Sequence, residues 1–253
     1  MSAAAMDEER QQNAPGSAGF SIFLAEESMV LVEIWSDVIC PFCYIGKRKF
    51  EAALQGFEQK DAVQVTWRSF QLDPAVRFKP GQTLYEYLAE RKGVTVEASR
   101  RMHERLTAAA EEVGLRYNFD MAIVANSFDA HRLTHLARER GAQETMEERL
   151  FAAYFSEGRN IGDHDTLAGL GAEAGLDPAA VQQMLAGTRF AGEVRKEARE
   201  AESLGADGVP FFVFNRVFAV SGAQPSALFL EALEKAWAGQ DAEGKGARTS
   251  VLS

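Results

Sequence analysis

An α/β fold, in which a βαβ unit and a ββα unit flank an inserted all-helical domain, is what this 253-residue sequence predicts. Three observations predict it. Residues 29–75 pass from a β-branched run to an amphipathic helix and back to a period-two run. Residues 76–204 carry helical patterning with no convincing strand. Residues 205–240 return to two short apolar runs followed by a helix.

The elements follow in order. "MVLVEIW" (29–35) is short, apolar and β-branched, the mark of a buried strand. From Pro41, Phe42, Ile45, Phe50, Leu54 and Phe57 recur mostly three to five apart, with Lys47, Arg48, Lys49 and Glu51 between them, which predicts an amphipathic helix over about 41–59. In "AVQVTWRSF" (62–70) Val63, Val65 and Trp67 alternate with polar residues, as in a strand. Helices then stop at Gly93, Gly114 and Gly141, the last of them capped by Asn126; Asp163 or Asp165, and Asp177 with Pro178 at the first helical position, are the expected caps of two later helices. "RFAGEVRKEAREAESLG" is the last helix of the block. "GVPFFVFN" and "RVFAVSG" predict a hairpin turning at Asn215–Arg216, and "PSALFLEALEKAWAG" the closing helix. Without the block, βαβ plus ββα is a thioredoxin-like arrangement, against which the block's own apolar faces should pack as a lid. Residues 1–28 and 241–253 are polar and aperiodic and are expected to be disordered.

A net charge of -10 argues against phosphate-binding surfaces and against anionic membranes, so neither nucleic acid nor a membrane is expected as partner. No run reaches the ~20 apolar residues of a membrane span, and the early acidic residues lack the basic region of a signal peptide. The expected location is the cytoplasm, where thiols are kept reduced and a structural disulfide is disfavoured.

That bears on the only two cysteines, Cys40 and Cys43, in "CPFC". Pro41 is predicted in the first turn of the helix, which puts Cys40 at the cap, where free N–H groups and the helix dipole stabilise a thiolate. Cys43, one turn on, is placed to resolve a mixed disulfide formed at Cys40. Val209–Pro210, just before a strand, is a candidate cis peptide whose preceding backbone groups could pair with an extended substrate. Pro41, Phe42, Val209 and Pro210 are therefore the candidate substrate contacts.

Blander readings stand beside these. Structural zinc needs four ligands, and no second cysteine pair exists; two inert buried thiols are the other alternative. His131 and His135 are spaced i, i+4, but the segment lacks the Glu of a zinc-protease helix and reads better as a groove or polar-interface face. No metal is expected. His103 and His164 read as solvated surface. Asp37 reads first as a turn or cap residue, second as a proton acceptor for Cys43.

"SDVICPFCYIGKRKFE", "NSFDAHRLTHLA", "GVPFFVFN" and "SGAQP", in this order over about residues 30–238, resemble DsbA-like thioredoxin-fold oxidoreductases of the FrnE-like branch. The resemblance implies Cys40 as nucleophile, Cys43 as resolving cysteine and Pro210 as the cis proline. It also implies an inserted domain whose "FDAHRL" segment faces the active site, making Phe128, His131 and Arg132 candidate substrate contacts. Kappa-class glutathione transferases and 2-hydroxychromene-2-carboxylate isomerases share the architecture, carry Ser where Cys40 stands, and use glutathione. The chain departs from the pattern in its Pro-Phe dipeptide, where periplasmic DsbA has Pro-His and many FrnE-like members Pro-Trp, and in lacking a second cysteine pair. Without the His, a couple less oxidising than the ~-120 mV of DsbA is expected.

The expected function is a cytoplasmic thiol–disulfide oxidoreductase or isomerase acting on disulfide- or thiol-containing proteins, peptides or small molecules. No cofactor is expected, and glutathione is a candidate redox partner. Two other classes compete: a glutathione-dependent transferase or isomerase, whose activity would survive Cys43→Ser, and a chaperone-like binder, whose activity would survive loss of both thiols.

Overall fold

Seven residues with β-branched or aromatic side chains at most positions make β1 (Val30–Ser36). The computed structural model describes residues 29–239 and 250–252. From β1 the chain enters α1 (Pro41–Gly56), passes a 3₁₀ turn at Lys60–Ala62 and returns as β2 (Val63–Ser69), parallel to β1 in register from Val30↔Val63 to Ser36↔Ser69. Helix α1 ends at Gly56 instead of running to 59, glycine being a weak helix former. Phe57 leaves the helix and sets its ring edge-on to Trp237, centroids 6.4 Å apart.

Seven helices follow: α2 (Leu84–Lys92), α3 (Val96–Glu111), α4 (Phe128–Glu139), α5 (Gln143–Phe155), α6 (His164–Glu173), α7 (Pro178–Ala186) and α8 (Ala191–Ser203). Side-chain caps set several starts. Thr83 closes a capping box with Glu86, and Asp163 and Asp177 accept the first free N–H groups of α6 and α7. At α4 the cap residue is Ser127, while the Asn126 side chain accepts from Phe128 N–H at 2.9 Å. The chain then forms β3 (Phe211–Phe214), β4 (Phe218–Ser221) and α9 (Ser226–Ala238).

The sheet order is β2-β1-β3-β4-β5, the last strand being Ser250–Leu252, with β3 antiparallel to both β1 and β4. The β3–β4 turn places Asn215 and Arg216 in the left-handed region (φ 47° and 58°). Asn tolerates this region, and here its amide also accepts from Leu31 N–H at 2.7 Å and donates to the Ala236 carbonyl at 3.0 Å. Arg216, whose larger side chain suits the region less, is held by ion pairs to Glu33 and Glu200.

The fold agrees with the predicted order, with one correction. Ser250–Leu252, expected within a tail without structure, forms the short strand β5 parallel to β4. The rest of that tail and the extension 1–28 lie outside the described residues.

Pleat alternation divides the core. Val32, Ile34, Phe212 and Phe214 face α1 and α9, where Phe50 and Phe229 interlock with them. Trp35, Phe211 and Val213 face the other way and pack with Ala201 of α8. Helix α8, predicted as part of the helical block, thus also covers the rear of the sheet, and the Trp35 indole N–H donates to the Glu197 carbonyl at 2.8 Å.

Candidate functional site

Cys40 ends the turn after β1: its N–H donates to the Asp37 carbonyl at 2.9 Å, and its extended backbone (φ -89°, ψ 114°) makes it the N-cap of α1 with Pro41 next. No side chain caps this helix, so its first-turn N–H groups are left to whatever charge forms at Cys40. Cys43 lies one turn in and donates its N–H to the Cys40 carbonyl at 3.0 Å. Both thiols are free.

The two sulfurs have different surroundings. Cys40 lines a cavity, and its Sγ donates to the Val209 carbonyl at 3.5 Å. Cys43 is fully buried. Burial, and then its hydrogen bond and charge interaction with Cys40, push the Cys43 thiol up, against the opposing pull of the Ser36 hydroxyl and the Asp37 backbone. The Val209–Pro210 bond is cis. Gly46 of α1 meets the Pro210 ring so closely that a Cβ there would stand 3.0 Å from Pro210 Cγ, which only a residue without a side chain avoids.

The structure therefore brings Cys40, Cys43, Pro41, Phe42, Val209 and Pro210 together. Phe42 is about half exposed (49%) at the rim. Over them lies a cavity of about 710 Å³ whose far wall is the α2–α3 hairpin: Leu84, Tyr87, Leu88, Met102, Leu106 and Ala109. Sequence reasoning missed these residues. Their only signal was an amphipathic period, which does not say what a face packs against. Arg91, Lys92 and Arg105 also line the cavity, together with Asp73, to which Arg91 is ion-paired.

The "FDAHRL" residues go elsewhere. His131 lies against Asp37, three residues before Cys40, its Nε2 3.4 Å from Asp37 Oδ1, both groups fully buried. Asp37 Oδ2 accepts from Leu72 N–H at 2.7 Å. Arg132 donates to the carbonyls of Arg189 (2.8 Å), Met184 (2.5 Å) and Gly187 (2.7 Å) and pairs with Asp129, so it closes the end of α7 and lines no part of the cavity. Phe128 lies under the Arg195 guanidinium, 4.9 Å from the ring centroid, beside a separate cavity of about 610 Å³ between α4 and α8. His135 turns to Glu197 (3.1 Å), so the two histidines of the i, i+4 pair have different partners. His103 is a further correction. It is buried between Tyr85 and Phe119, contacts the Ser99 carbonyl through Nδ1 at 2.7 Å, and is held below its ordinary pKa by burial.

Contacts with α1 dock the insertion. Tyr117 O–H donates to the Pro41 carbonyl at 2.7 Å, between the two cysteines in sequence. Tyr44 stacks on Phe151 at 4.8 Å and donates to Glu148 at 2.6 Å. Lys47, predicted on the polar face of α1, is buried among Glu51, Glu144 (2.6 Å) and Glu148 (2.9 Å). The α5 carboxylates draw it in; a buried cation needs such partners. Among the described residues no group of three or more His, Cys, Asp and Glu side chains is arranged to hold a metal ion, and no helix is long and apolar enough to cross a membrane.

Comparison with known proteins agrees with this geometry. The family model of the DSBA-like thioredoxin domain matches residues 31–234. YwbO of Bacillus subtilis (strain 168), described as uncharacterized, is 32% identical over 207 residues, covering 81% of this chain and 96% of its own. The crystal structure of SCO1869, a probable DsbA oxidoreductase from Streptomyces coelicolor, is 41% identical, with a TM-score of 0.78 over 86% of this chain and 92% of its own. The cytosolic disulfide reductase DsbM from Pseudomonas aeruginosa, solved with GSH, shares the fold at 18% identity, with a TM-score of 0.54 over 84% and 98% of the two chains.

Proposed function

The chain belongs to the DSBA-like thioredoxin-domain family, and from that premise we propose that it is a cytoplasmic thiol–disulfide oxidoreductase whose redox pair is Cys40–Cys43. The Cys40 thiolate attacks one sulfur of a substrate disulfide, and the other sulfur leaves with the electron pair. Cys43 then attacks Cys40 Sγ, the second substrate thiolate leaves, and the pair is left as a disulfide; the reverse sequence oxidises a dithiol. The single observation that carries this reading is the asymmetry of the two thiols. Cys40 caps a helix at the edge of an apolar cavity, against the Val209 carbonyl, while Cys43 is sealed behind it.

The cavity bears on the substrate. Its apolar α2–α3 wall suits a hydrophobic peptide side chain next to the disulfide, and Lys92 and Arg105 suit carboxylates, Arg91 being paired with Asp73. Glutathione, with two carboxylates and one thiol, fits that description as the small-molecule redox partner. The test is to trap the intermediate. Cys43→Ser, incubated with oxidised glutathione, is expected to gain one glutathione by mass spectrometry, mapped to Cys40. Cys40→Ser under the same conditions should remain unmodified at the buried Cys43. Equal labelling of both variants would overturn the assignment of roles.

A further inference from the structure

Attack by Cys40 requires its thiolate, and a thiolate needs hydrogen-bond donors around the sulfur. The Val209 carbonyl, 3.5 Å from Cys40 Sγ, is an acceptor. It serves the S–H form and offers the thiolate nothing. The donors must come from the first turn of α1, and the sequence leaves few of them. Pro41 has no N–H. The Cys43 N–H is given to the Cys40 carbonyl at 3.0 Å. The N–H of Phe42 remains, one of the two amides from which an N-cap side chain accepts, and no side-chain cap takes it.

The Phe42 N–H belongs to the same peptide unit as the Pro41 carbonyl, and that carbonyl is held from the helical insertion. Tyr117 O–H donates to it at 2.7 Å. Among the described residues this is the one side-chain hydrogen bond from the insertion to residues 40–43. Tyr117 lies in the link between α3 and α4 and is itself fixed. Its buried ring stacks on Phe155 at 4.6 Å and meets Phe119 edge-on at 5.3 Å. The backbone on either side is tied to the end of α5. Asn118 N–H donates to the Phe155 carbonyl at 2.6 Å, and the Ser156 hydroxyl donates to the Arg116 carbonyl at 2.7 Å. Burial, then the charges of Cys40, Tyr44 and Cys43, push the Tyr117 phenol above its ordinary range against the pull of Arg48, so it stays a donor when the cysteines ionise.

We propose that Tyr117 is a positioning residue that tunes the redox pair from the helical insertion: by holding the Pro41 carbonyl it orients and polarises the Pro41–Phe42 peptide, whose N–H then stabilises the Cys40 thiolate. This inference rests on the thiol–disulfide reading above. A peptide unit is planar and rigid, so fixing its carbonyl fixes its N–H. A hydrogen bond accepted at one end also strengthens the donor at the other, by about 10–30%. Favouring the thiolate favours the reduced pair, which makes the disulfide the stronger oxidant. The Tyr117 hydroxyl bonds to backbone and not to a sulfur, so it acts through the loop that carries the nucleophile.

The test is Tyr117→Phe, which removes the hydroxyl and keeps the ring that stacks on Phe155. The reduced full-length protein is alkylated with iodoacetamide over a range of pH, and the modification is mapped to Cys40 by mass spectrometry. The midpoint of the rate–pH profile is expected to move to higher pH, by about a threefold to tenfold change in the ionisation constant, the scale of one hydrogen bond. In glutathione buffers at a pH above both midpoints, the equilibrium constant should shift towards the disulfide by the same factor, a potential lower by about 15–30 mV. Tyr44→Phe is the control. It removes a neighbouring hydroxyl that docks α1 on Glu148 and leaves the Pro41 carbonyl alone, so it should move neither readout. 3-Fluorotyrosine introduced at position 117, a stronger donor of nearly the same shape, should displace both readouts the opposite way and keeps the test decisive if Tyr117→Phe does not fold. Equal displacement in Tyr117→Phe and Tyr44→Phe would mean loosened docking and would overturn the tuning, as would a Tyr117→Phe protein with the wild-type profile and potential. In that last case a wild type that cycles reversibly leaves the thiol–disulfide reading standing. A wild type that forms no reversible disulfide brings down that reading and the tuning together.

Discussion

Cys40→Ser is expected to abolish reduction of insulin disulfides by this protein, with a loss on the order of a thousandfold or more, the scale on which a covalent nucleophile matters. Only Cys40 opens onto the cavity, and a serine hydroxyl at the helix cap is not ionised at neutral pH. Cys43→Ser should behave differently. It retains attack, consumes one equivalent of disulfide and then stalls as a mixed disulfide. The competing readings forecast other results. A glutathione-dependent transferase or isomerase would tolerate Ser at position 40, as the kappa-class resemblance suggests, and would survive Cys43→Ser. A binder without redox chemistry would suppress insulin aggregation to the same extent with both cysteines replaced. Turbidity of insulin with dithiothreitol as reductant, followed for the wild type, both single variants and the double variant, distinguishes all three.

The second large effect concerns stability. Glu197 on α8 is almost fully buried and ties three elements together. It accepts from Ser69 N–H of β2 at 2.8 Å, from Arg68 at 2.8 Å, and from His135 of α4 at 3.1 Å, with Arg138 at 3.3 Å. Burial alone would raise its carboxyl, but the His135 hydrogen bond and charge, the Ser69 N–H and Arg68 outweigh it and hold the group down at about 2. Glu197→Ala strands Ser69 N–H and removes one partner from a buried charge cluster, at a cost of about 3 kcal/mol. For a domain of this size that lowers the melting temperature by roughly 6–12 °C. The pH dependence has a definite sign. The folded pKa lies below the ordinary 4.5, so the contribution is fully present above about pH 4.5 and is lost as pH falls from there towards 2. Chemical denaturation of wild type and Glu197→Gln should therefore converge at low pH. A difference constant between pH 7 and pH 3 would contradict an ionised Glu197.

Legibility followed locality. The cysteine pair, the strand before it and the helix after it lie within about twenty-five residues, and Pro41 and the i, i+3 spacing report the cap geometry from sequence alone. Val209–Pro210 was legible because cis bonds are essentially confined to X-Pro, and this one directly precedes an apolar run. Contacts between elements distant in sequence were not. The α2–α3 wall of the cavity looked like any amphipathic hairpin. Lys47 read as solvent-facing because the three α5 and α1 carboxylates that bury it are named only by the fold. Arg132 follows His131 on α4, and successive residues on a helix diverge by about 100°, so neighbouring positions serve the end of α7 and Asp37, while Phe128 opens the helix beside Arg195 of α8. Asp37 could be placed in a turn from sequence, yet its pairing with His131 joins residues on either side of the insertion boundary and had no local signal.

The most direct measurement is the redox equilibrium of Cys40–Cys43 in a graded series of glutathione buffers, followed by thiol alkylation and mass, with Cys40→Ser as the control. A single reversible two-electron transition, lost in the control, is the result expected of a redox pair. Its midpoint should lie well below the ~-120 mV of DsbA, since Phe42 stands where a histidine would further stabilise the thiolate. Absence of any reversible disulfide across that range would contradict the central claim.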